Sequence, residues 1–204
     1  MQLYYKPGAC SLASHITLHE IGADFGLQKV DTNAGTTESG ADYTTINPNG
    51  YVPALALKSG EILTEGPAIL QYLADQKPEA GLAPKSGTLE RARLQQHLSF
   101  VGSELHKAFS PLFAAEQPAG PARDAVVANI GKKFNTFETI LSDGRQYLLG
   151  DSFTVADAYL FVVSSWTRPT GIDLGQWPNL AAYVGRIASR PAAQAAMRAE
   201  GLLN

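Results

Sequence analysis

Cysteine is nearly absent from this chain, since its 204 residues contain only Cys10. A single cysteine excludes an internal disulfide framework and any Cys-x-x-Cys redox pair, so thiol chemistry here would need an external partner thiol. Cationic clusters are also missing: 16 Lys and Arg against 19 Asp and Glu give a net charge of −3. This charge provides no basic field for a phosphate backbone, and we expect no nucleic-acid partner.

Long apolar runs are lacking as well. They fall far short of the roughly 20 residues that cross a bilayer, and the first ten residues, MQLYYKPGAC, contain no apolar run preceded by positive charge. We therefore expect no membrane partner and a cytoplasmic protein. What is present, 45% hydrophobic and 17% charged residues, is typical of an ordered globular chain of one or two small domains.

The first third of the chain alternates strand patterns with helical ones. Strand patterns lie at residues 3–5, 27–30, 52–57 and 62–63, and helical patterns at 11–21 and 68–74. Turn signals at Asn47–Gly50 and Lys58–Gly60 indicate a hairpin formed by the last two strands. The order predicts a β-α-β unit followed by a β-β-α unit.

Composition changes between Gly81 and Gly87 to Gly, Pro, Lys and Ser, and strand patterns nearly vanish beyond this segment. Helical patterns follow at 88–113, 122–141, 155–166, 179–189 and 192–200. Pro111 should kink or end the first of them. Thr154 can cap a later helix while Asp157 reaches back to the N–H of the capping residue. We predict a first domain at 1–80, a linker at 81–87 and an all-helical domain at 88–204.

Cys10 follows a turn at residues 6–9 and directly precedes the predicted helix at 11–21. Unpaired backbone N–H groups at a helix N-terminus favour an anion and would stabilise a thiolate there. The alternative is a small buried apolar residue, which a lone cysteine often is. Ser11 could cap the helix or donate to a sulfur atom, and we favour the capping role.

Two other segments could hold a peptide-like ligand. Val52-Pro53 begins a strand in which proline cannot donate to a sheet ladder, and this indicates an edge or a cis turn beside a site. Val52 could then pair with an extended peptide through main-chain hydrogen bonds. Glu65-Gly66 offers a carboxylate for an amine and a backbone N–H for a carboxylate. A plain edge strand and an acidic residue that favours the helix dipole are the alternatives.

A polar stripe lies on the predicted helix at 88–113. Ser99, Ser103, His106 and Lys107 share one helical face because they are spaced i, i+4, i+7 and i+8. His106 could donate a hydrogen bond to a thiolate or shuttle its proton, and Lys107 could offset an anionic ligand. From the residues alone, an exposed polar face is the favoured alternative.

The other histidines and two tyrosines are interpreted as structural. His15 and His19 are spaced i, i+4 and could bind a metal, but no third ligand lies near them in sequence, so we expect no metal site. His97 is interpreted as structural too. Tyr4 and Tyr5 are candidates for a phenol hydrogen bond to a thiolate, although packing in a strand is favoured for both.

Six segments occur in one order along the chain. They are YKPGACSLASHI, NPNGYVPAL, LTEGPAILQYLAD, SELHKAFSPLF, FTVADAYLF and RPAAQAAMRAEGL. The series resembles the bacterial beta-class glutathione transferases nearly end to end. This resemblance implies the GST fold, which is α/β plus all-α: a thioredoxin-like N-terminal domain (βαβαββα) followed by an all-helical C-terminal domain. It also implies a homodimer, glutathione as co-substrate and no prosthetic group.

The resemblance also assigns roles to residues. Cys10 matches the family cysteine that lies against glutathione sulfur or forms a mixed disulfide with it, and His106 matches the neighbouring histidine. Val52, before the family's cis-proline at Pro53, would pair with the cysteinyl backbone of glutathione, and Glu65-Gly66 would hold its γ-glutamyl end. The further positions expected to reach glutathione are Ser99, Ser103, Glu104, Leu105 and Lys107.

The chain departs from the family pattern at two positions. Gly35 stands where relatives often carry a lysine that contacts glutathione, and Ser99 stands where they often carry Asn. Loss of one charge-assisted contact would cost about 1.5 to 3 kcal/mol, or roughly tenfold to a hundredfold in affinity, unless Lys107 or another cation substitutes.

The implied activity is conjugation of the glutathione thiolate to small hydrophobic electrophiles. Phe109, Phe113 and Trp166 are the candidate lining of the electrophile pocket, with core packing as the alternative for these aromatics. Two other functions stay open: a glutaredoxin-like thiol transferase in which Cys10 forms a mixed disulfide with glutathione, and a non-catalytic glutathione-binding protein on the same fold. The electrophile itself is not indicated by the sequence.

Overall fold

The computed structural model describes residues 1–203 and contains two compact units. One comprises Met1–Ala83 together with the segment from Ser189 onward, and the other comprises Pro84–Ala188. The second unit is therefore shorter than the predicted domain at 88–204, because the helix Pro191–Ala199 packs against the helix Ser11–Glu20 of the first unit. The boundaries placed at residues 80 and 88 stay predictions.

The first unit is built on a five-stranded mixed sheet. Its elements are β1 (Gln2–Tyr5), α1 (Ser11–Glu20), β2 (Gly26–Asp31), β3 (Thr36–Thr37), β4 (Ala54–Ala56), β5 (Ile62–Thr64) and α2 (Gly66–Gln76). The strand order is β3-β2-β1-β4-β5. β1 and β2 are parallel, and the other neighbours are antiparallel. The predicted β-α-β and β-β-α units are confirmed.

Burial follows from the sequence pattern of these elements. In β1 the side chains alternate, so that Leu3 and Tyr5 are buried and Gln2 and Tyr4 are partly exposed, as the two-residue period of a strand requires. α1 packs against α2 and buries all its residues from Ser11 to Leu18. Because α1 is buried over this length, its N-terminus is held in place, and so is Cys10 directly before it.

The order βαβαββα is realised with one difference. Between β2 and β4 the structure has the short strand β3 and a single 3-10 turn, Tyr43–Thr45, where the order expects a helix. Asp42 caps this turn by accepting a hydrogen bond from the backbone N–H of Thr44 at 2.9 Å. The segment at 32–50 is rich in Thr, Asn and Gly and has no helical apolar period, so one capped turn is what it can support.

The second unit is helical. Its helices are α3 (Leu89–Phe100), α4 (His106–Phe109), α5 (Gly120–Leu141), α6 (Val155–Ser165), α7 (Thr167–Thr170) and α8 (Pro178–Ala188). α6 is the central one: it packs on α3 and α8 and buries its residues from Val155 to Ser164. The chain ends with α9 (Pro191–Ala199), and none of the helices described within residues 1–203 is long and apolar enough to cross a membrane.

The predicted cap of α6 is confirmed. The Asp157 carboxylate accepts from the N–H of Thr154 at 2.7 Å, and the Thr154 side chain accepts from the N–H of Asp157 in return. The same carboxylate accepts from the N–H of Leu148 and from the hydroxyl of Tyr183, each at 2.8 Å. A buried carboxylate therefore joins the start of α6 to α8 and to the preceding loop.

The single helix predicted at 88–113 is wrong in its detail. After α3 the backbone forms a π-helical turn, Val101–Leu105, and the short α4 is followed by a 3-10 turn, Ser110–Phe113. Pro111 lies in that last turn, as expected of a residue that ends a helix. A π-turn adds one residue to a helix and is common near functional sites. It changes the face on which the residues after it lie.

Candidate active site

Cys10 is the N-cap residue of α1, as predicted from its position before the helix. Its side chain is partly buried, and its Sγ donates a hydrogen bond to the carbonyl oxygen of Val52 at 3.2 Å. This contact joins two segments that are far apart in sequence and that were each singled out as ligand-binding candidates. A thiolate has no proton to donate, so the contact belongs to the protonated thiol.

The peptide bond between Val52 and Pro53 is cis, as expected. The preceding carbonyl, that of Tyr51, accepts hydrogen bonds from the Tyr43 hydroxyl and from the Asn47 amide, each at 2.7 Å. Burial raises the pKa of Tyr43 to about 12, so this phenol remains a donor at neutral pH. The backbone that leads into Val52 is therefore held from two sides.

Glu65 lies at the N-cap of α2 with its side chain exposed, and Gly66 and Pro67 occupy the first turn. The φ angle of Glu65 is 69°, which makes it the one non-glycine residue of the described chain with a positive φ. Such a conformation costs a non-glycine residue about 1 to 3 kcal/mol and tends to occur at functional sites. A glutamate stands at a position where a glycine would be unstrained, and this supports a role for its carboxylate.

Ser11 has neither of the roles considered for it. Its hydroxyl accepts from the backbone N–H of Lys6 at 3.2 Å and lies 3.3 Å from the carbonyl oxygen of Lys6. It therefore ties down the turn before Cys10 instead of capping α1 or contacting a sulfur atom. Tyr4 and Tyr5 pack as expected, with ring centroids 5.7 Å from Tyr43 and 6.1 Å from His15.

The loop after β2 contains Gly35, whose φ is 69°. Near this loop is a cavity of about 660 Å³. It is lined by Lys6, Pro7, Lys29, Val30, Asp31, Asn33, Thr36, Thr37 and Glu38. The two lysines are accompanied by two carboxylates, and the Lys6 ammonium lies 3.0 Å from the hydroxyl of Thr32. The lining of this cavity therefore carries charges of both signs.

In the second unit, His106 is the first residue of α4 and is partly buried. Its Nδ1 lies 2.8 Å from the hydroxyl of Tyr159, a buried residue of α6, and its ring meets Trp166 edge-on at 4.7 Å between centroids. Burial, with a smaller contribution from the positive charge of Lys107, lowers the pKa of His106 to about 4. The imidazole is therefore neutral near pH 7.

The three aromatic residues predicted to line an electrophile pocket lie in one cluster. Phe109, Phe113 and Trp166 are neighbours, with centroid distances of 5.4 to 6.4 Å. Phe109 is fully buried and Trp166 nearly so, which agrees with core packing, whereas Phe113 is 51% exposed. Of the three, Phe113 offers the most surface to a ligand.

The remaining predicted glutathione contacts lie around the π-turn. Ser99, Ser103 and Lys107 are exposed, and the Ser103 hydroxyl donates to the carbonyl oxygen of Ser99 at 2.8 Å. Glu104 is exposed and paired with Lys133. Leu105 is fully buried, backbone and side chain alike, and its contact with glutathione stays a prediction. The structure describes no group of three or more His, Cys, Asp or Glu within residues 1–203 that could hold a metal ion.

Comparisons with known proteins identify the family. The model of the glutathione S-transferase N-terminal domain matches residues 8–76, and that of the C-terminal domain matches residues 100–191. Glutathione S-transferase GstA of Escherichia coli O157:H7 is 45% identical over 202 residues, which cover 99% of this chain and 100% of the relative. The chain belongs to the glutathione S-transferase family.

Solved structures of family members agree with this. The bacterial beta-class glutathione S-transferase of Sphingomonas chungbukensis is 52% identical with a TM-score of 0.95, and both chains are covered completely. A sphingomonad glutathione S-transferase solved in complex with glutathione is 51% identical with a TM-score of 0.94, again over the whole of both chains. The beta-class resemblance and the GST fold predicted from the sequence are confirmed.

Two contacts made by or beside candidate residues of this glutathione S-transferase were not predicted, one in each unit. Tyr159 was read as part of an apolar helix, although its hydroxyl reaches His106. Glu200 was read as the end of an Ala-rich helix, although its carboxylate accepts from the backbone N–H of Gly8 at 2.9 Å. A tyrosine or glutamate on an otherwise apolar helical face is the one signal that could have drawn attention to them.

Proposed function

We propose that this protein conjugates glutathione to small hydrophobic electrophiles, with the thiol of glutathione as the nucleophile. The observation that carries the proposal is the hydrogen bond from Cys10 Sγ to the carbonyl oxygen of Val52. It brings the family cysteine to the residue before cis-Pro53, in a chain whose relatives include a transferase solved with glutathione. Because Cys10 is protonated in this contact, we assign the attacking thiolate to glutathione.

Glutathione would be held in the first unit through its backbone and its γ-glutamyl end. The main chain of Val52 would pair with the cysteinyl residue, as an added strand does. The exposed carboxylate of Glu65 would bind the α-amine, and the N–H of Gly66 would bind the α-carboxylate. The strained backbone of Glu65 supports this assignment, since nothing in α2 itself requires a glutamate there.

His106 would act as a hydrogen-bond donor to the glutathione sulfur. An imidazole with a pKa near 4 is a weak base, so it is poorly suited to take the thiol proton. As a neutral ring it can donate through Nε2–H when Nδ1 accepts a hydrogen bond, and the Tyr159 hydroxyl is placed to donate to Nδ1. A donated hydrogen bond favours the ionised sulfur and lowers the pKa of the bound thiol.

The electrophile would contact the aromatic cluster, in which Phe113 offers the largest exposed surface. Further proposed contacts of glutathione are Ser99, Ser103, Glu104, Leu105 and Lys107. We also propose a homodimer, and a cytoplasmic location that would keep the single thiol of Cys10 reduced.

The test is steady-state conjugation of glutathione to 1-chloro-2,4-dinitrobenzene by the wild type, Cys10→Ala and His106→Ala. We expect the wild type to be well above the uncatalysed rate, and His106→Ala to lower kcat more than it raises KM for glutathione. Absence of conjugation in a wild type that still binds immobilised glutathione would contradict catalysis and favour a binding protein.

A glutaredoxin-like thiol transferase is the second candidate, supported by the location of the single cysteine at the N-cap of α1. A disulfide-exchange assay on the same variants distinguishes it. If the protein shows no conjugating activity but catalyses disulfide exchange, and if this exchange requires Cys10, the thiol-transferase function replaces the conjugating one.

A further inference from the structure

A buried carboxylate near the C-terminus lies beside the turn that carries Cys10. Glu200 follows α9, and its Oε2 accepts from the backbone N–H of Gly8 at 2.9 Å, while its Oε1 lies 2.9 Å from Nδ1 of His15 on α1. The side chains of Glu200 and His15 are both fully buried. A buried carboxylate is tolerated only with such partners, so Glu200 is bound to this place in the fold.

Leu202, which follows α9, also lies close to the same peptide unit. Gly8 has a φ of 70°, and a methyl group added to it would lie 3.5 Å from Cδ2 of Leu202. The N–H of Leu202 donates to the carbonyl oxygen of Met197 at 2.8 Å, which fixes the turn after α9. Glu200 therefore binds the Cys10 turn directly, and the Leu202 side chain lies beside Gly8.

The turn is short and continuous with the reactive residue. The N–H of Ala9 donates to the carbonyl oxygen of Lys6 at 3.0 Å, and the Ser11 hydroxyl binds the backbone of Lys6. Only Ala9 lies between Gly8 and Cys10, so a displacement of the Gly8 peptide would move Cys10 relative to the Val52 carbonyl. The location of Sγ thus depends on a side chain from the far end of the sequence.

We propose that Glu200 is a positioning residue for Cys10: its carboxylate holds the Gly8 peptide and thereby keeps the Cys10 thiol against Val52. Without this carboxylate the turn keeps its contacts with Lys6 but loses its tie to the C-terminal segment, and the thiol moves from its carbonyl partner more often. The effect on turnover rests on the function proposed above, whereas the effect on the thiol does not. The thiol can therefore be measured without glutathione.

The experiment compares Glu200→Ala, Glu200→Gln and Glu20→Ala by two measurements on the protein without ligand. One is the rate at which iodoacetamide alkylates the protein at a fixed pH near 8.5, where an ordinary thiol is about half ionised. Cys10 is the only cysteine, so alkylation reports on it alone. The other is hydrogen exchange of the backbone amides from Gly8 to Leu12.

Each variant has a definite role. Glu200→Ala removes both hydrogen bonds. Glu200→Gln preserves both, since its amide oxygen can accept from Gly8 while its NH₂ donates to Nδ1 of His15. Glu20→Ala is the matched control because Glu20, at the end of α1, also holds the C-terminal segment, through Arg190 at 2.7 and 3.0 Å.

We expect Glu200→Ala to alkylate about threefold faster or more and to exchange the Gly8 to Leu12 amides about tenfold faster. Glu200→Gln and Glu20→Ala should remain within about twofold of the wild type. Equal behaviour of Glu200→Ala and the wild type, or equal behaviour of Glu200→Ala and Glu20→Ala, would overturn the proposal. If Glu200→Ala does not fold, Glu200→Asp, which draws the carboxylate back from the Gly8 N–H by one methylene group, should accelerate the same amides, and unchanged exchange in that variant counts against the proposal.

Discussion

Substitution of Asp157 is expected to destabilise the helical unit more than the loss of an ordinary helix cap. The carboxylate is fully buried, and its two oxygens serve four donors. Oδ2 accepts from the N–H and the hydroxyl of Thr154, and Oδ1 accepts from the N–H of Leu148 and the hydroxyl of Tyr183. These contacts fasten the start of α6 to two other parts of the unit.

The magnitude follows from what each substitution leaves unpaired. Loss of a helix cap costs about 1 kcal/mol, and each buried donor left without an acceptor costs about 1 to 3 kcal/mol more. Asp157→Ala strands the N–H of Leu148 and the hydroxyl of Tyr183, so we expect a loss of about 3 to 7 kcal/mol. In Asp157→Asn the side chain has a single oxygen, which can accept from the N–H of Leu148 or from that of Thr154 but not from both. We expect this variant to lose about 2 kcal/mol of the free energy of unfolding.

Urea unfolding followed by circular dichroism measures these losses. Thr88→Ala is the matched control, because Thr88 caps α3 by accepting from the N–H of Arg91 at 3.2 Å and takes part in no comparable buried network. Its loss should be about 1 kcal/mol. The reasoning fails if Asp157→Ala loses no more stability than Thr88→Ala, or if Asp157→Asn is as stable as the wild type.

Three further predictions concern the proposed site. Glu65→Gly removes the strain of a positive φ and should raise the free energy of unfolding by about 1 kcal/mol while weakening glutathione binding, as urea unfolding and calorimetric titration would measure. Tyr159→Phe should lower kcat about tenfold with little change in KM for glutathione, because Nδ1 of His106 loses its partner; an unchanged kcat would exclude the role given to this hydroxyl. Because the pKa of His106 is lowered in the folded protein, this histidine binds a proton at higher pH in the unfolded chain than in the folded one. The free energy of unfolding should therefore fall by up to about 3 kcal/mol as the pH falls from 6.5 to 4. In a series of unfolding curves at different pH values, His106→Gln should lack this part of the loss.

Those parts of the site that depend on short stretches of sequence could be predicted. Cys10 precedes a helix, and Thr154 and Asp157 are three residues apart, so local patterns were enough to place them. The cis bond before Pro53 was indicated by a proline at the start of a strand and by the family motif. Each of these inferences needed information from fewer than ten neighbouring residues.

Contacts between distant residues could not be predicted in the same way. His106 and Tyr159 are 53 residues apart, and Gly8 and Glu200 are 192 residues apart. The spacing of apolar residues shows which face of a helix is buried, but it does not show which side chain of another element packs against that face. The π-turn at Val101–Leu105 was missed for a related reason, because one inserted residue barely alters an apolar pattern while it turns the following residues to a new face.

We propose that this protein binds glutathione as a thiolate with the help of His106. The most direct measurement is a pH titration of the thiolate ultraviolet absorbance of bound glutathione, in Cys10→Ala so that no protein thiol contributes, and in the double variant that also carries His106→Ala. We expect the pKa of the bound thiol to lie below the value of about 8.5 for an ordinary thiol, and to rise in the double variant. If the bound thiol titrates like free glutathione in both proteins, His106 does not stabilise a thiolate and the proposed role is wrong.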